Sequence, residues 1–368
     1  MKYWRGYLIA GILAVCTWAL GQFAAAHTQL VDMVYPYISR IIMDYLASWS
    51  AGVDFCLWQT LLLVGIVLSV GSIVLMIVLR WNPIQWGGWI LSIVMLFNLL
   101  GTGLYGLNEH AGPLAEDVRL EIHEYSVGSL ERAAHYYRDM ANLYADKVSR
   151  NADGTLRYDS LQELAVTAAN GFEHLTFDYG YPIFSGSTVP VKELTWADSY
   201  EGETGTTVAL TGESAVNPNV PAVGQPYAIC HEMSHRMCIF NDTDANFAAF
   251  LACTANEDEQ YLYSGYLMAF RACYNALRNI STNLGKDALN RVMANVDDRV
   301  LSDLSDYNAF FGEQANLSDD ELCKLLVSWH IKLFPLVDTD EEENKFDPLD
   351  ETDERLQDII NPTQPEEP

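Results

Sequence analysis

The chain has 368 residues, 50% of them hydrophobic, and a formal net charge of −28 at pH 7. Residues 1–110 hold four basic residues (Lys2, Arg5, Arg40, Arg80) and four acidic ones (Asp32, Asp44, Asp54, Glu109), so the whole excess lies on residues 111–368. A unit that acidic repels phosphate backbones and anionic headgroups, which excludes a nucleic-acid partner. The seven cysteines contain no CxxC pair, and five of them (Cys230, Cys238, Cys253, Cys273, Cys323) fall in the acidic part. An odd number there excludes a complete disulfide set; one bridge stays open, and most of these thiols read as small buried apolar residues.

A bilayer core is crossed by about 20 apolar residues in a helix. Residues 7–26, 56–79 and 85–107 meet that test, and the second and third contain no charge. The lipid bilayer is therefore an expected partner. Arg80, Trp81 and Pro83 make a tight connection, and Trp81, Trp86 and Trp89 suit the headgroup level. Lys2 and Arg5 before the first span, and Arg80 after the second, place the N-terminus in the cytoplasm and everything from Asn108 outside it. Arg40 alone opposes this, among Asp32, Asp44 and Asp54. The first stretch also resembles a signal peptide ending at Ala24-Ala25-Ala26, and either reading leaves the acidic part outside. Residues 28–50 carry Val31, Val34, Ile38, Ile41, Ile42 and Tyr45 near helical spacing, as a helix lying along the outer interface would.

Beyond Leu114 the pattern is mainly helical. Ser126 caps an expected helix to about residue 148, and Tyr158-Asp159-Ser160 opens another to about residue 175. Strands are expected at residues 189–194 and 206–211, and a Pro-rich loop at residues 217–226. Helical patterning resumes at Tyr227 and continues to about residue 334. Residues 338–368 are acidic and Pro-rich, the composition of a disordered, solvating tail. The expected fold is thus three transmembrane helices followed by a mainly helical α+β domain with a small sheet.

Residues 231–235 read His-Glu-Met-Ser-His. Positions four apart share a helix face, so His231 and His235 can address one ion. Imidazole nitrogen suits Zn2+, and a catalytic zinc site has three protein ligands and an open position for water. Zinc lowers the pKa of that water towards ~7, and Glu232 stands where it can take the proton. After the break at residues 241–244 a second apolar helix begins, so a carboxylate in its first turn can swing back to the ion. Asp244 is the leading third ligand and Asp242 the reserve, with helix capping as the competing role for both.

Several segments together resemble the bacterial multi-pass membrane family labelled domain of unknown function 3810, which is similar to gluzincin-type zinc peptidases. They are Asn108-Glu-His110-Ala-Gly-Pro113-Leu-Ala115, Thr211-Gly212-Glu213 with Asn217, Cys230-His-Glu-Met-Ser-His235, Asp244-Ala-Asn-Phe247, and Tyr263-Ser-Gly-Tyr266. The resemblance implies a zincin-like extracytoplasmic metallopeptidase domain and a Glu third ligand at the position of Asp244, one methylene longer than the residue here. Arg236 is a second departure from the zincin helix pattern. By the same analogy the strand at residues 206–211 pairs with an extended peptide, Thr211, Gly212 and Glu213 contribute to substrate binding, and Tyr263 or Tyr266 serves the oxyanion.

The expected function is a membrane-anchored zinc-dependent hydrolase of peptide bonds, with a peptide or protein substrate. The competing function is a catalytically inactive zincin-fold binding protein for peptides or envelope components. Cleavage inside the bilayer is not supported, because the motif lies more than a hundred residues past the last span.

Overall fold

Three long apolar stretches and one amphipathic stretch become four helices before the acidic part begins: α1 (Arg5–Ala26), α2 (Thr28–Ser50), α3 (Leu57–Val78) and α4 (Pro83–Leu104). In this computed structural model the described residues are 2–180, 183–184, 188–196, 202–312, 317 and 319–335; the acidic tail at residues 338–368 lies outside them. Helices α1, α3 and α4 are long and apolar enough to cross a membrane. Asn82 caps α4 by accepting from Gln85 N, and Pro83 takes the position where its missing N–H costs nothing. Helix α1 packs on α4 where Gly6 meets Gly88 backbone to backbone, and Ser92 Oγ donates to Gly6 O at 2.7 Å. No membrane water exists to satisfy those groups, so such small-residue contacts hold spans together. Helix α3 keeps its sides exposed, as a helix surrounded by lipid does. The amphipathic helix expected at residues 28–50 is α2.

The remaining elements are α5 (Leu114–Asp117), α6 (Val127–Lys147), α7 (Leu161–Tyr179), β1 (Lys192–Glu193), β2 (Gly205–Val208), β3 (Glu213–Val216), α8 (Gln225–Arg236), α9 (Asp242–Thr254), α10 (Glu259–Asn279), α11 (Asn283–Met293), α12 (Asp298–Phe311) and α13 (Asp320–Leu333). Ser126 and Ser160 cap α6 and α7 through reciprocal capping boxes, as their sequence pattern required. Helices α6, α8, α9 and α10 build the core around Tyr137, Phe247, Phe250 and Phe270. The sheet has order β1-β3-β2, with β3 parallel to β1 and antiparallel to β2. Strand β3 is buried along its length and falls on the Thr-Gly-Glu segment, where no strand was expected. The strand expected at residues 206–211 ends at Val208, because residues 209–212 form the turn into β3. All seven cysteines are free, so the bridge left open by the sequence is not formed.

Two of the family-like segments outside the HExxH motif fasten the acidic domain to the helices that precede it. Glu213, buried at 2% exposure, accepts from Leu57 N and Trp58 N at 2.8 Å each, so its carboxylate caps the start of α3. Lys192 Nζ donates to the same carboxylate at 2.7 Å and also to the carbonyls of Ser50 and Phe55. Gly212 has φ +67°, and a Cβ there would come within 2.5 Å of Ala47 N and 2.6 Å of Met43 O on α2. Only glycine fits that turn against that helix. Thr211 is buried in the same turn. The substrate-binding role expected of Thr211, Gly212 and Glu213 is therefore corrected: they seat β3 on α2 and α3. The Asn-x-His segment acts alike, with Asn108 Nδ2 donating to Ser39 Oγ at 3.1 Å and Gly112 N to Asp32 Oδ1 at 2.7 Å.

Candidate metal centre

Helix α8 carries the HExxH residues. Pro226 starts it, and its uncharged residues Ala228, Ile229 and Cys230 are buried against the core. His231, Glu232 and His235 line a cavity of about 680 Å³. Past His235 the chain reverses through Cys238, which has φ +68°; Cys238 N donates to His235 O and Ile239 N to Ser234 O. This pairing closes the helix end and aims Ile239 O back at the imidazole of His235.

The two imidazoles meet edge on, with His235 Nε2 and His231 Nε2 3.1 Å apart. Their other nitrogens are spoken for: His231 Nδ1 faces Asn246 Oδ1 at 2.9 Å, and His235 Nδ1 faces Ile239 O at 2.9 Å. A carbonyl oxygen only accepts, so each Nδ1 carries a proton and each Nε2 is left as the nitrogen that can address an ion. Asp242 Oδ1 lies 3.2 Å from His235 Nε2, and the three ligand atoms fall within 4.8 Å of one another. Ligands on tetrahedral arms of ~2.0–2.1 Å are separated by about 3.3 Å, so this spacing suits a zinc ion. The cluster is held together either by a proton that His235 Nε2 donates to Asp242 or by a cation between its members. The donor set thus fits zinc, with the Nδ1 acceptors fixing the rings as outer partners of metal histidines do.

Burial and the neighbouring His235 hold His231 down to about 4, so its ring is neutral and able to ligate at pH 7. Burial opposes a charge on His235 as well, but the Asp242 hydrogen bond and the Glu232 carboxylate raise it. Glu232 is 3% exposed, and burial pushes it up to about 7 against the opposing pull of His235 and Thr207. Thr207 Oγ1 donates to Glu232 Oε2 at 2.8 Å, and Ser214 Oγ donates to Glu232 O at 2.9 Å. Gly205 leaves room for this carboxylate: a Cβ there would lie 2.8 Å from Glu232 Oε1 and 2.5 Å from Ala215 O. Gly205→Ala is accordingly expected to displace the Glu232 carboxylate and strain the β2–β3 pairing, which thermal unfolding of the full chain should read as a lower melting temperature.

Asp244 does not join the histidines. Its Oδ2 accepts from Leu114 N at 3.3 Å, at the start of α5. The reason is helical: residues two apart point roughly 200° away from each other, so only one of Asp242 and Asp244 can face α8. Asn241 caps α9, leaving Asp242 as its first residue and turned back toward His235. The reserve ligand is thus the one at the site. Its spacing held a usable signal, since Asp242 and Asn246 are four apart and both serve the histidines. Asp242→Ala is expected to weaken zinc binding ~10–100-fold or more, and Asp244→Ala to leave it within about threefold, by competition titration with a zinc-binding dye.

Tyr263 and Tyr266 lie in the core instead of the cavity. Tyr263 Oη donates to Asp303 Oδ2 at 2.5 Å, and Tyr266 packs against Tyr136, Tyr144 and Phe250. Arg236 is buried and points away from the ligands, donating to Val189 O. Residues not singled out in the sequence line the cavity: Tyr105, Glu203, Tyr227, Phe240, Arg271 and Tyr307. They come from widely separated parts of the chain, so no local spacing announces them. Strand β2 is one of the two edges of the sheet among the described residues, and Gly205, Thr206 and Thr207 form one wall.

No curated protein and no solved structure matches the chain. The family described as "Protein of unknown function (DUF3810)" matches residues 31–325, a stretch that starts within α2, ends within α13 and contains the whole centre just built, and the chain belongs to that family.

Proposed function

We propose that the chain is a membrane-anchored zinc peptidase whose site stands outside the cytoplasmic membrane. The observation that carries this reading is the pair of Nε2 atoms 3.1 Å apart with Asp242 beside them and the Glu232 carboxylate in the same cavity. His231, His235 and Asp242 would hold the ion, leaving a fourth position toward the cavity. Bound there, zinc supplies Lewis acidity toward a water molecule and toward the scissile carbonyl. Glu232 takes a proton from the attacking water as its oxygen bonds to the carbonyl carbon. It returns that proton to the amide nitrogen as the C–N bond breaks, so the carboxylate ends as it began. Thr207 keeps the Glu232 side chain in place, and its hydrogen bond favours the anionic form that accepts the proton.

The edge of β2 offers backbone N–H and C=O groups to an extended peptide, a mode indifferent to side-chain identity. Arg271 and Tyr105 supply donors in the cavity for the oxygen that gains charge. The zincin-like character of the domain and its extracytoplasmic side belong to this same proposal. They are supported by the strand–helix–helix order β3-α8-α9 at the site and by Arg5 and Arg80, which flank the spans at their ends away from the domain. The test is hydrolysis of a mixed pool of fluorogenic peptides by the full chain in detergent. Activity should fall to background with a zinc chelator and return with added zinc. Hydrolysis indifferent to the chelator would contradict the proposal, and a zinc-loaded protein with no hydrolysis would favour the binding-protein reading.

A further inference from the structure

Three observations place the centre at the bilayer surface. The first is the cavity wall. Tyr105, the first residue after α4, lines the cavity with His231, Glu232 and His235, and its ring lies 5.4 Å from that of Phe240. Helix α4 has 22 residues. At ~1.5 Å per residue it is about 33 Å long, enough for a hydrocarbon core of ~30 Å, which leaves Tyr105 at headgroup level. Tyrosine is favoured at that depth.

The second is the fastening of the turn after α8. Arg40 Nε on α2 donates to Met237 O at 2.8 Å, and Cys238 Sγ donates to Ser39 Oγ at 3.3 Å. Ser39 Oγ in turn donates to Leu104 O at 2.5 Å, the last residue of α4. The clamped turn includes Ile239, whose carbonyl holds His235 Nδ1. The metal-binding residues therefore cannot lift from the membrane without releasing α2 and the end of α4.

The third is the outward side of α2. Leu30, Val34, Ile38, Ile41 and Tyr45 are all exposed and recur at steps of three or four residues. This is one continuous apolar stripe on a helix that follows directly from α1 and packs its opposite side, through Met43 and Ala47, on the domain. A stripe of that size on a helix joined to a span lies in the headgroup–acyl boundary.

Resting on the peptidase reading, we infer that the substrate is the juxtamembrane segment of another membrane-anchored polypeptide, bound extended along β2 on the domain's side of the bilayer. A folded soluble protein would have to push an unfolded stretch down to headgroup level to reach the cavity. A membrane-anchored chain delivers such a stretch by its own tether, which raises its local concentration. Edge-strand pairing needs an extended segment and little side-chain information, which suits the short linkers that follow membrane spans.

The test uses the full chain, zinc-loaded, in phosphatidylcholine vesicles. One sequence-randomised pool of cleavage segments is presented in three ways: free in solution, three residues above a single-span anchor, or above the same anchor on a helical spacer of about 24 residues. That spacer lifts the segment ~36 Å from the surface. The expected result is cleavage of the low-anchored pool at least ~10-fold faster than of the lifted pool at equal surface density, and faster than of the free pool at equal bulk concentration. Equal cleavage of the low and lifted pools would overturn the inference while leaving the peptidase reading intact. No cleavage of any pool would overturn both.

Discussion

Glu232→Gln is expected to cut peptide hydrolysis by about 10²–10⁴-fold, the contribution of one well-placed general base, with zinc still bound. The substitution keeps the shape and the Thr207 hydrogen bond but removes the group able to carry a proton from water to the leaving nitrogen. Because His231, His235 and Asp242 are untouched, the metal stoichiometry should not change. The pair of readouts separates chemistry from binding: activity lost with metal retained locates the defect in proton transfer. Activity within a few-fold of wild type would show that Glu232 is no base, and the buried carboxylate held by Thr207 would then need another account.

The second large effect concerns the seat of the domain. Glu213→Ala removes the acceptor for Leu57 N and Trp58 N and the partner of Lys192, in a place where the side chain is 2% exposed. Breaking a buried ion pair by removing one partner costs about 3–5 kcal/mol. The Ser50 and Phe55 carbonyls still receive Lys192, which puts the expectation at the lower end of that range. The measurement is thermal unfolding of the detergent-solubilised full chain followed by tryptophan fluorescence. Glu213→Ala should melt well below wild type and Glu213→Gln, which keeps an acceptor, should fall between. A melting temperature unchanged in both would mean that Glu213 is no structural lock, and its assignment here would fail.

The membrane helices, the capped starts of α6 and α7 and the facing pair His231 and His235 are legible because each is written locally. Spans show as charge-free runs, caps as Ser three residues before their partner, and the two histidines as one helical turn. What was not legible depends on contacts between distant segments. Glu213 reads as an ordinary turn carboxylate until α3 is brought to it from more than a hundred residues away. Tyr263 and Tyr266 have the spacing of a site face, yet the packing of α10 on α6 turns them inward. The choice between Asp242 and Asp244 hinged on where α9 begins, and helix starts are the least certain feature of a sequence reading. The cavity wall at Tyr105 was hidden for a different reason: treating the spans as a mere anchor separates them from the site, whereas the end of α4 forms part of it.

The account stands on one claim, that His231, His235 and Asp242 hold a zinc ion. The most direct measurement is the zinc content of the purified full chain and of its Glu232→Gln and His235→Ala variants, each confirmed as folded by its circular dichroism spectrum. The account predicts one zinc per chain in the wild type and in Glu232→Gln, and none retained in His235→Ala. A folded wild-type protein that takes up no zinc when zinc is supplied would contradict it.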